Sequence, residues 1–106
     1  MFARLNEITW VPDVDQAALQ QATDRWRQLV RDQPGHLGHL TIDRGDGHVV
    51  TITLWASPET AQGWSDNPAF RRLTEERLRP LLAEWRTSEG PVVSAELGRT
   101  GASAGD

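Results

Sequence analysis

The sequence contains no cysteine among its 106 residues. A disulfide framework, a cysteine-based metal site and a thiolate nucleophile are therefore excluded, and a cytoplasmic location is the expectation for such a chain. Tyrosine is absent as well, so no side-chain phenol is available. No apolar run approaches the ~20 residues of a membrane span, and the N-terminal segment lacks the apolar stretch of a signal peptide. We therefore expect a soluble protein without a membrane partner.

Basic residues are few and scattered along the chain. The 11 basic residues are outnumbered by 15 acidic ones, which gives a formal net charge of −4. A partner with a phosphate backbone would require a basic patch, so nucleic-acid binding is not expected.

The length of the chain allows a single domain. A chain of this size buries about two thirds of its unfolded surface, which suffices for one core of modest size. We assign residues 1–97 to this domain and the small polar segment 98–106 to a flexible C-terminal tail. Five tryptophans, against two phenylalanines, supply large flat side chains to this small domain.

Hydrophobic periodicity predicts the element order β-α-β-β-α-β. The first helix is predicted to start with the capping-box spacing of Asp13 and Gln16 and to run to about Gln33, before the pair Pro34-Gly35. The strands are predicted at residues 2–11, 36–44, 48–56 and 91–97. The two middle strands form a hairpin around the short turn 45–47.

The second helix is predicted to be split in two. Ser57-Pro58 and Asn67-Pro68 each combine a capping side chain with a proline at the first helical position, where the missing N–H is harmless. The second half is predicted to carry Leu82 and Trp85 on its apolar side, with a kink or restart at Pro80.

This element order is that of the ferredoxin-like α+β fold, a four-stranded antiparallel sheet with its helices on one face. The other face would remain in contact with water unless a second copy covered it. By alternation we assign to that open face Ala3, Leu5, Thr9, Val11, Val49, Thr51, Thr53 and Trp55. We therefore predict a homodimer that packs sheet to sheet.

The stretch from Val49 to Phe70 combines a strand, a capped helix start and a second helix start. Its distinctive features, with two from elsewhere in the chain, are Leu54-Trp55, Ser57, Trp64, Phe70, the turn Pro34-Gly35-His36-Leu37-Gly38 and Asn6 in the first strand. With these features the chain resembles the antibiotic biosynthesis monooxygenase family of dimeric α+β barrels, which also includes small haem-degrading enzymes. The resemblance spans residues 2–97 and implies the same dimeric barrel.

The resemblance also implies a pocket between the helices and the sheet, with Asn6 and Trp64 as its catalytic residues. Ligand contacts are expected from Arg4, Ile8, Trp10, Phe70, Leu73 and Thr74. Cofactor-independent members of the family oxidise phenolic polyketide-type rings with dioxygen. The implied function is that of a monooxygenase-like enzyme for a flat, enolisable aromatic molecule, without a cofactor or a metal. Some members use a tyrosine that this chain lacks.

Three of these residues each allow two interpretations. Asn6 either donates a hydrogen bond to a substrate carbonyl or oxyanion, or is satisfied by backbone or water. Trp64 either stacks on an aromatic ligand or fills the core. Arg4 either counters the charge of an enolate or extends to solvent.

The placement of histidine argues against haem binding. Haem-degrading members hold the iron through a histidine in the split helix, and Thr74 occupies the matching position here. The three histidines, His36, His39 and His48, all lie in the hairpin. The odd spacing of His36 and His39 predicts opposite faces and no shared metal site. His39 or His48 is the candidate for a base, because histidine titrates near neutrality.

Two other functions stay open from the sequence. A non-catalytic dimer would bind a small apolar ligand, with quenching of tryptophan fluorescence and no turnover. Haem binding would give a Soret shift on titration and is disfavoured by Thr74.

Overall fold

The computed structural model describes residues 1–96, so the tail expected at 98–106 lies outside the described residues. The strands are β1 (Phe2–Trp10), β2 (His36–Gly45), β3 (His48–Trp55) and β4 (Leu82–Pro91). The helices are α1 (Gln16–Arg31), α2 (Pro58–Ser65) and α3 (Pro68–Leu73). The chain continues from α3 into a π-helical turn at Thr74–Leu78 and a 3₁₀ turn at Arg79–Leu81. None of the described helices is long and apolar enough to cross a bilayer.

The four strands form one antiparallel sheet in the order β2-β3-β1-β4. The helices cover one face, which confirms the predicted ferredoxin-like α+β fold with a split second helix. Two clusters of buried apolar side chains form the core, the first with Val30, Trp55, Ala61 and Trp64 and the second with Ala22, Leu73 and Leu78.

Both halves of the split helix start where the sequence predicts. Ser57 Oγ accepts a hydrogen bond from the backbone N–H of Thr60 at 3.2 Å, and Thr60 Oγ1 accepts one from the N–H of Ser57 at 3.1 Å. Asn67 Oδ1 accepts hydrogen bonds from the N–H groups of Ala69 and Phe70 at 2.8 and 3.1 Å. These caps satisfy backbone donors that a helix start leaves unpaired, and they fix where each half begins.

The first helix begins later than predicted. Asp13 lies in the preceding turn with φ of 58° and does not cap the helix. Asp15 is the cap, because its Oδ1 accepts hydrogen bonds from the N–H groups of Ala17 and Ala18 at 3.0 and 3.1 Å. The capping chemistry is as expected, but it acts two residues further along the chain.

The predicted end of the second helix and the predicted last strand are wrong. Residues 82–91 form β4 where a helix was expected as far as Trp85, and residues 92–96 have no regular structure. Pro80 lacks a backbone donor and ends the helical hydrogen-bond pattern. Pairing with β1 then places Trp85 opposite Ile8 and Thr87 opposite Asn6. This long-range pairing outweighs the helical propensity of the segment.

The face predicted for alternate residues of β3 is also wrong. Asn6 pairs with Thr51, and directly opposite residues lie on the same side of a sheet. The residues of β3 that face the helices are therefore Val49, Thr51, Thr53 and Trp55, of which Trp55 is 0% exposed. Alternation shows that every second residue of a strand shares a face. Pairing with the neighbouring strand decides which of the two alternating sets faces the helices.

Gly35 joins α1 to β2 in a conformation that requires glycine. Its φ is +82°, and a Cβ at this position would collide with the side chain of Thr60. We expect Gly35→Ala to lower the free energy of unfolding by about 2–4 kcal/mol, measured by urea denaturation. The control is Gly45→Ala, with φ of +88° but no atom within 4 Å of the added Cβ, for which about 1 kcal/mol is expected. Equal losses in the two variants would contradict this role for Thr60.

Candidate functional site

A cavity of about 530 Å³ lies between the sheet and the three helices. Alternate residues of β1, β3 and β4 form its floor, and side chains of α1, α2 and α3 form its walls. The two core clusters lie beside it, so the cavity occupies a gap in the helix–sheet interface. It lies between the two layers where the family resemblance implies a pocket.

Strand pairing arranges the floor of the cavity in four rows. Across the strands these rows are Arg4–Thr53–Glu89, then Asn6–Thr51–Thr87, then Ile8–Val49–Trp85, and finally Trp10–Leu82. Successive rows are about 7 Å apart, because a strand rises ~3.4 Å per residue and every second residue faces the cavity. The floor therefore changes from charged to polar to apolar along β1.

Asn6 lies in the polar row, and its amide oxygen is fully engaged. Oδ1 accepts a hydrogen bond from Trp85 Nε1 at 2.8 Å and another from Thr87 Oγ1 at 2.8 Å. Within residues 1–96, Asn6 Nδ2 has no hydrogen-bond acceptor. Both donors belong to β4, so Nδ2 lies on the side of β3 and the cavity.

Arg4 lies at the charged end of the cavity and does not extend to solvent. Its Nε donates to Glu89 Oε1 at 3.0 Å, and its Nη1 donates to Ser65 Oγ at 2.6 Å. The side chain is only 11% exposed. These two contacts fix the guanidinium between β4 and α2.

Trp64 belongs to the core and lines the cavity at the same time. It is 3% exposed and stacks on Phe70, with ring centroids 4.2 Å apart and an interplanar angle of 23°. Trp55 lies on another side of the ring at 6.3 Å, and Trp26 contacts it edge-on at 6.4 Å. Trp64, Phe70 and Trp26 all line the cavity. Trp64 therefore fills the core, and stacking on an aromatic ligand stays a prediction.

The structure brings six of the eight predicted site residues together. Arg4, Asn6, Ile8, Trp10, Trp64 and Phe70 line the cavity. Leu73 and Thr74 lie elsewhere: Leu73 is buried with Ala22 and Leu78, and Thr74 Oγ1 donates to the carbonyl of Phe70 at 2.9 Å. These two side chains stabilise the helical segment behind the cavity.

The main residues that sequence reasoning missed belong to β4. Trp85, Thr87 and Glu89 line the cavity, and Trp85 and Thr87 bind Asn6 directly. Their two-residue spacing is the signal that predicts a strand with one face toward a pocket. The leucines before this segment recur at helical spacing, so the segment was predicted as a continuation of the helix.

The predicted opposite orientation of His36 and His39 is wrong. A β-bulge between His36 and Gly38 adds one residue to β2, so both rings lie on the same side of the sheet. His39 Nδ1 is 3.4 Å from His36 Nε2, and the His39 ring contacts Trp26 edge-on at 5.2 Å. Within residues 1–96, no three side chains of the metal-binding types converge.

Neither histidine proposed as a base lines the cavity. The His39 ring contacts Trp26 edge-on, and a ring nitrogen of His48, the first residue of β3, is 3.0 Å from Thr9 Oγ1. Thr9 alternates with the cavity-facing residues of β1, so His48 lies on the opposite face of the sheet.

The histidine pair makes stability depend on pH. Burial lowers the pKa of His36, and His39 lowers it further; burial and then Arg27 and Arg31 lower the pKa of His39. The unfolded chain therefore binds protons first, near pH 6.5, and the free energy of unfolding falls as the pH decreases below that value.

We expect urea denaturation to show a loss of stability between pH 7.5 and pH 5 that is smaller in the double variant His36→Gln/His39→Gln. His48→Gln is the matched control and should keep the dependence of the wild type. An unchanged slope in the double variant would refute this source of the pH dependence.

The protein is a ferredoxin-like α+β domain with a cavity between its sheet and its helices. Residues 1–76 match the family model described as antibiotic biosynthesis monooxygenase, and the chain belongs to that family. No curated protein matches the sequence significantly.

Solved structures share the fold at low sequence identity. SnoaB, a cofactor-independent oxygenase from Streptomyces nogalater, has a TM-score of 0.76 and 18% identity, covering 89% of this chain and 94% of its own. Rv0793 from Mycobacterium tuberculosis has a TM-score of 0.75 and 17% identity, with coverages of 90% and 98%. A candidate antibiotic biosynthesis monooxygenase from Deinococcus radiodurans has a TM-score of 0.78 and 16% identity, with coverages of 93% and 99%.

Proposed function

We propose that the protein is a cofactor-independent monooxygenase that oxidises a flat, enolisable aromatic substrate in the cavity. The observation that carries this proposal is the position of Asn6, whose free amide N–H₂ lies in a polar row next to the apolar row of Ile8, Val49 and Trp85. Membership of the monooxygenase family and the structural likeness to SnoaB support the reaction class.

For oxidation of an enolisable aromatic by dioxygen, the protein needs only to bind the substrate and to stabilise the developing charge. An enolisable aromatic loses an acidic proton, and the resulting anion can transfer an electron to dioxygen. The aromatic rings of the substrate would contact Trp64, Phe70 and the apolar row. These contacts favour a planar substrate and hold it in one orientation. Asn6 Nδ2 would donate to the oxygen on which the negative charge develops.

The experiment for this proposal follows oxygen consumption with anthrone as the substrate. Anthrone and one dioxygen give anthraquinone and water, which balances atoms and electrons without another reductant. Purified protein treated with a chelator is expected to accelerate oxygen uptake above the buffer rate. Quenching of tryptophan fluorescence by anthrone without any acceleration would instead establish the non-catalytic binding function.

We also propose that the protein is a homodimer that packs through the outer face of the sheet. That face carries Leu5, Leu40, Ile42, Val50, Ile52 and Leu54, and in a single chain Leu40 and Ile42 are 47% and 46% exposed. Apolar side chains on one continuous sheet face are typical of a surface that a second copy covers.

A charge at the centre of this face is expected to separate the dimer. Ile52, on β3, lies opposite both Leu5 and Leu40, so Ile52→Glu would bury a carboxylate in an apolar interface. Light scattering at micromolar concentration should show a dimer for the wild type and a monomer for Ile52→Glu. Val93→Glu, at a position that is 94% exposed beyond β4, is the control and should stay dimeric. A monomeric wild type would rule out the proposed assembly.

A further inference from the structure

Trp85 and Thr87 determine which end of the Asn6 amide faces the cavity. An indole N–H can only donate a hydrogen bond, so the Asn6 atom that lies 2.8 Å from Trp85 Nε1 must be the oxygen. The Thr87 hydroxyl donates to the same oxygen at 2.8 Å. A flipped amide would direct N–H groups at the indole N–H, which is repulsive. The two β4 residues therefore hold Nδ2 toward β3.

Thr51 adds a second polar group at the place where Nδ2 points. It pairs with Asn6 across β1 and β3, lines the cavity and is 8% exposed. Among the described residues its hydroxyl has no hydrogen-bond partner, and neither does Asn6 Nδ2. Thr51 is buried and Asn6 is partly buried on the floor of the cavity, so an acceptor oxygen of a ligand in the cavity would satisfy their free donors.

We propose that Trp85 and Thr87 are positioning residues that make the cavity selective for a ligand with an acceptor oxygen. The ligand class is a planar aromatic whose carbonyl, enolate or phenolate oxygen lies at the Asn6–Thr51 row. This inference rests on the proposed function, because it specifies which group of the aromatic substrate binds at Asn6. The amide N–H₂ donates only, so a group that offers only hydrogen-bond donors finds no acceptor on Asn6.

Packing alone does not account for Trp85. Its side chain is 37% exposed, unlike the buried Trp55 and Trp64. The indole N–H of Trp85 donates its hydrogen bond to Asn6. A tryptophan that lines the cavity and donates its N–H to Asn6 is suited to orienting that amide.

Two probes separate this role from a general effect on binding. 1,4-Naphthoquinone carries acceptor oxygens, and naphthalene has the same ring system without them. Dissociation constants for both are measured by ¹H–¹⁵N NMR titration of the full chain, in which the five indole N–H signals report directly. The measured quantity is the ratio of the two constants, which gives the preference for an acceptor.

The variants remove the two donors: Thr87→Val keeps the side-chain shape, and Trp85→Phe keeps an aromatic ring. In Trp85→Phe/Thr87→Val, we expect the preference for the quinone to fall by about three- to tenfold, because the amide is free to flip. Affinity for naphthalene should fall by less than the affinity for the quinone, because Trp85→Phe keeps an aromatic ring in the apolar row. The single variant Thr87→Ser keeps both the hydroxyl and Trp85, and it should keep the preference of the wild type for the quinone. A structural role would instead weaken both probes together.

The outcomes distinguish this inference from the proposed function. If wild type binds both probes and the preference is the same in Trp85→Phe/Thr87→Val, the positioning role is overturned while the aromatic-binding cavity stands. If wild type binds neither probe, the aromatic ligand class and this inference both fail. A selective loss of the quinone preference supports the positioning role even if anthrone is not turned over.

Discussion

Trp64→Ala is expected to lower the free energy of unfolding by about 3–5 kcal/mol, the range for removing a large buried aromatic side chain. Trp64 is 3% exposed and packs between Phe70, Trp55 and Trp26. Its removal leaves a cavity where α2 meets the sheet, and the neighbouring rings cannot collapse into it because they also support one another. Urea denaturation followed by far-UV circular dichroism measures the loss.

Two further variants make this expectation specific. Trp64→Phe keeps a ring in the stack and should lose about 1–2 kcal/mol, because the smaller side chain leaves a smaller void. Trp85→Ala removes a tryptophan that is 37% exposed and should also lose less than Trp64→Ala. A loss below about 1 kcal/mol for Trp64→Ala would show that the residue is not part of the core.

Asn6→Ala is expected to lower the turnover of the proposed substrate by about 100- to 1000-fold, the usual effect of removing one donor to a developing oxyanion. Asn6 Nδ2 is the donor that the polar row presents to the cavity, since Oδ1 is held by Trp85 and Thr87. Stability should fall by only about 1 kcal/mol, because the two orphaned donors lie near solvent. Steady-state oxygen uptake with anthrone measures the change in kcat.

The matched control for this prediction is Gln62→Ala. Gln62 also lines the cavity, but it lies on α2 outside the Asn6–Thr51 row, and its Nε2 donates to Asp66 Oδ1 at 3.1 Å. Its loss should change kcat by less than about threefold. Equal activity of Asn6→Ala and the wild type would remove Asn6 from the reaction.

Local chemistry made much of the fold predictable from the sequence. The caps at Ser57 and Asn67 and the prolines that follow them are complete within four residues, so the split of the second helix could be placed before the structure was known. The hairpin turn 45–47 has the same local character, with two glycines at positive φ. These signals do not depend on distant parts of the chain.

The features that were mispredicted depend on pairing between distant residues. The segment of β4 has the composition of a helix, and its pairing with β1, about 80 residues away in the chain, turns it into a strand. The phase of β3 and the common orientation of His36 and His39 depend on register and on a bulge. One extra residue reverses every later side chain, and sequence alternation does not reveal where that residue lies.

Six residues that line the cavity were named from the sequence. Asn6 and Trp64 followed from the family resemblance, and Arg4, Ile8 and Trp10 followed from alternation along the same strand. The donors on Trp85 and Thr87 could not be predicted, because their segment was assigned to the helix. The sequence therefore indicated cavity residues on β1. The hydrogen bonds from Trp85 and Thr87 to Asn6 depend on the pairing of β4 with β1.

We propose that the protein oxidises a planar aromatic in the cavity with dioxygen and no cofactor. The most direct measurement is the mass of the anthraquinone formed from anthrone under ¹⁸O₂ by chelator-treated wild-type protein and by Asn6→Ala. The proposal predicts one ¹⁸O atom in the product, the second oxygen atom in water, and a much slower rate for Asn6→Ala. A product without ¹⁸O, or a labelled product that forms no faster with the protein than in buffer, would contradict it.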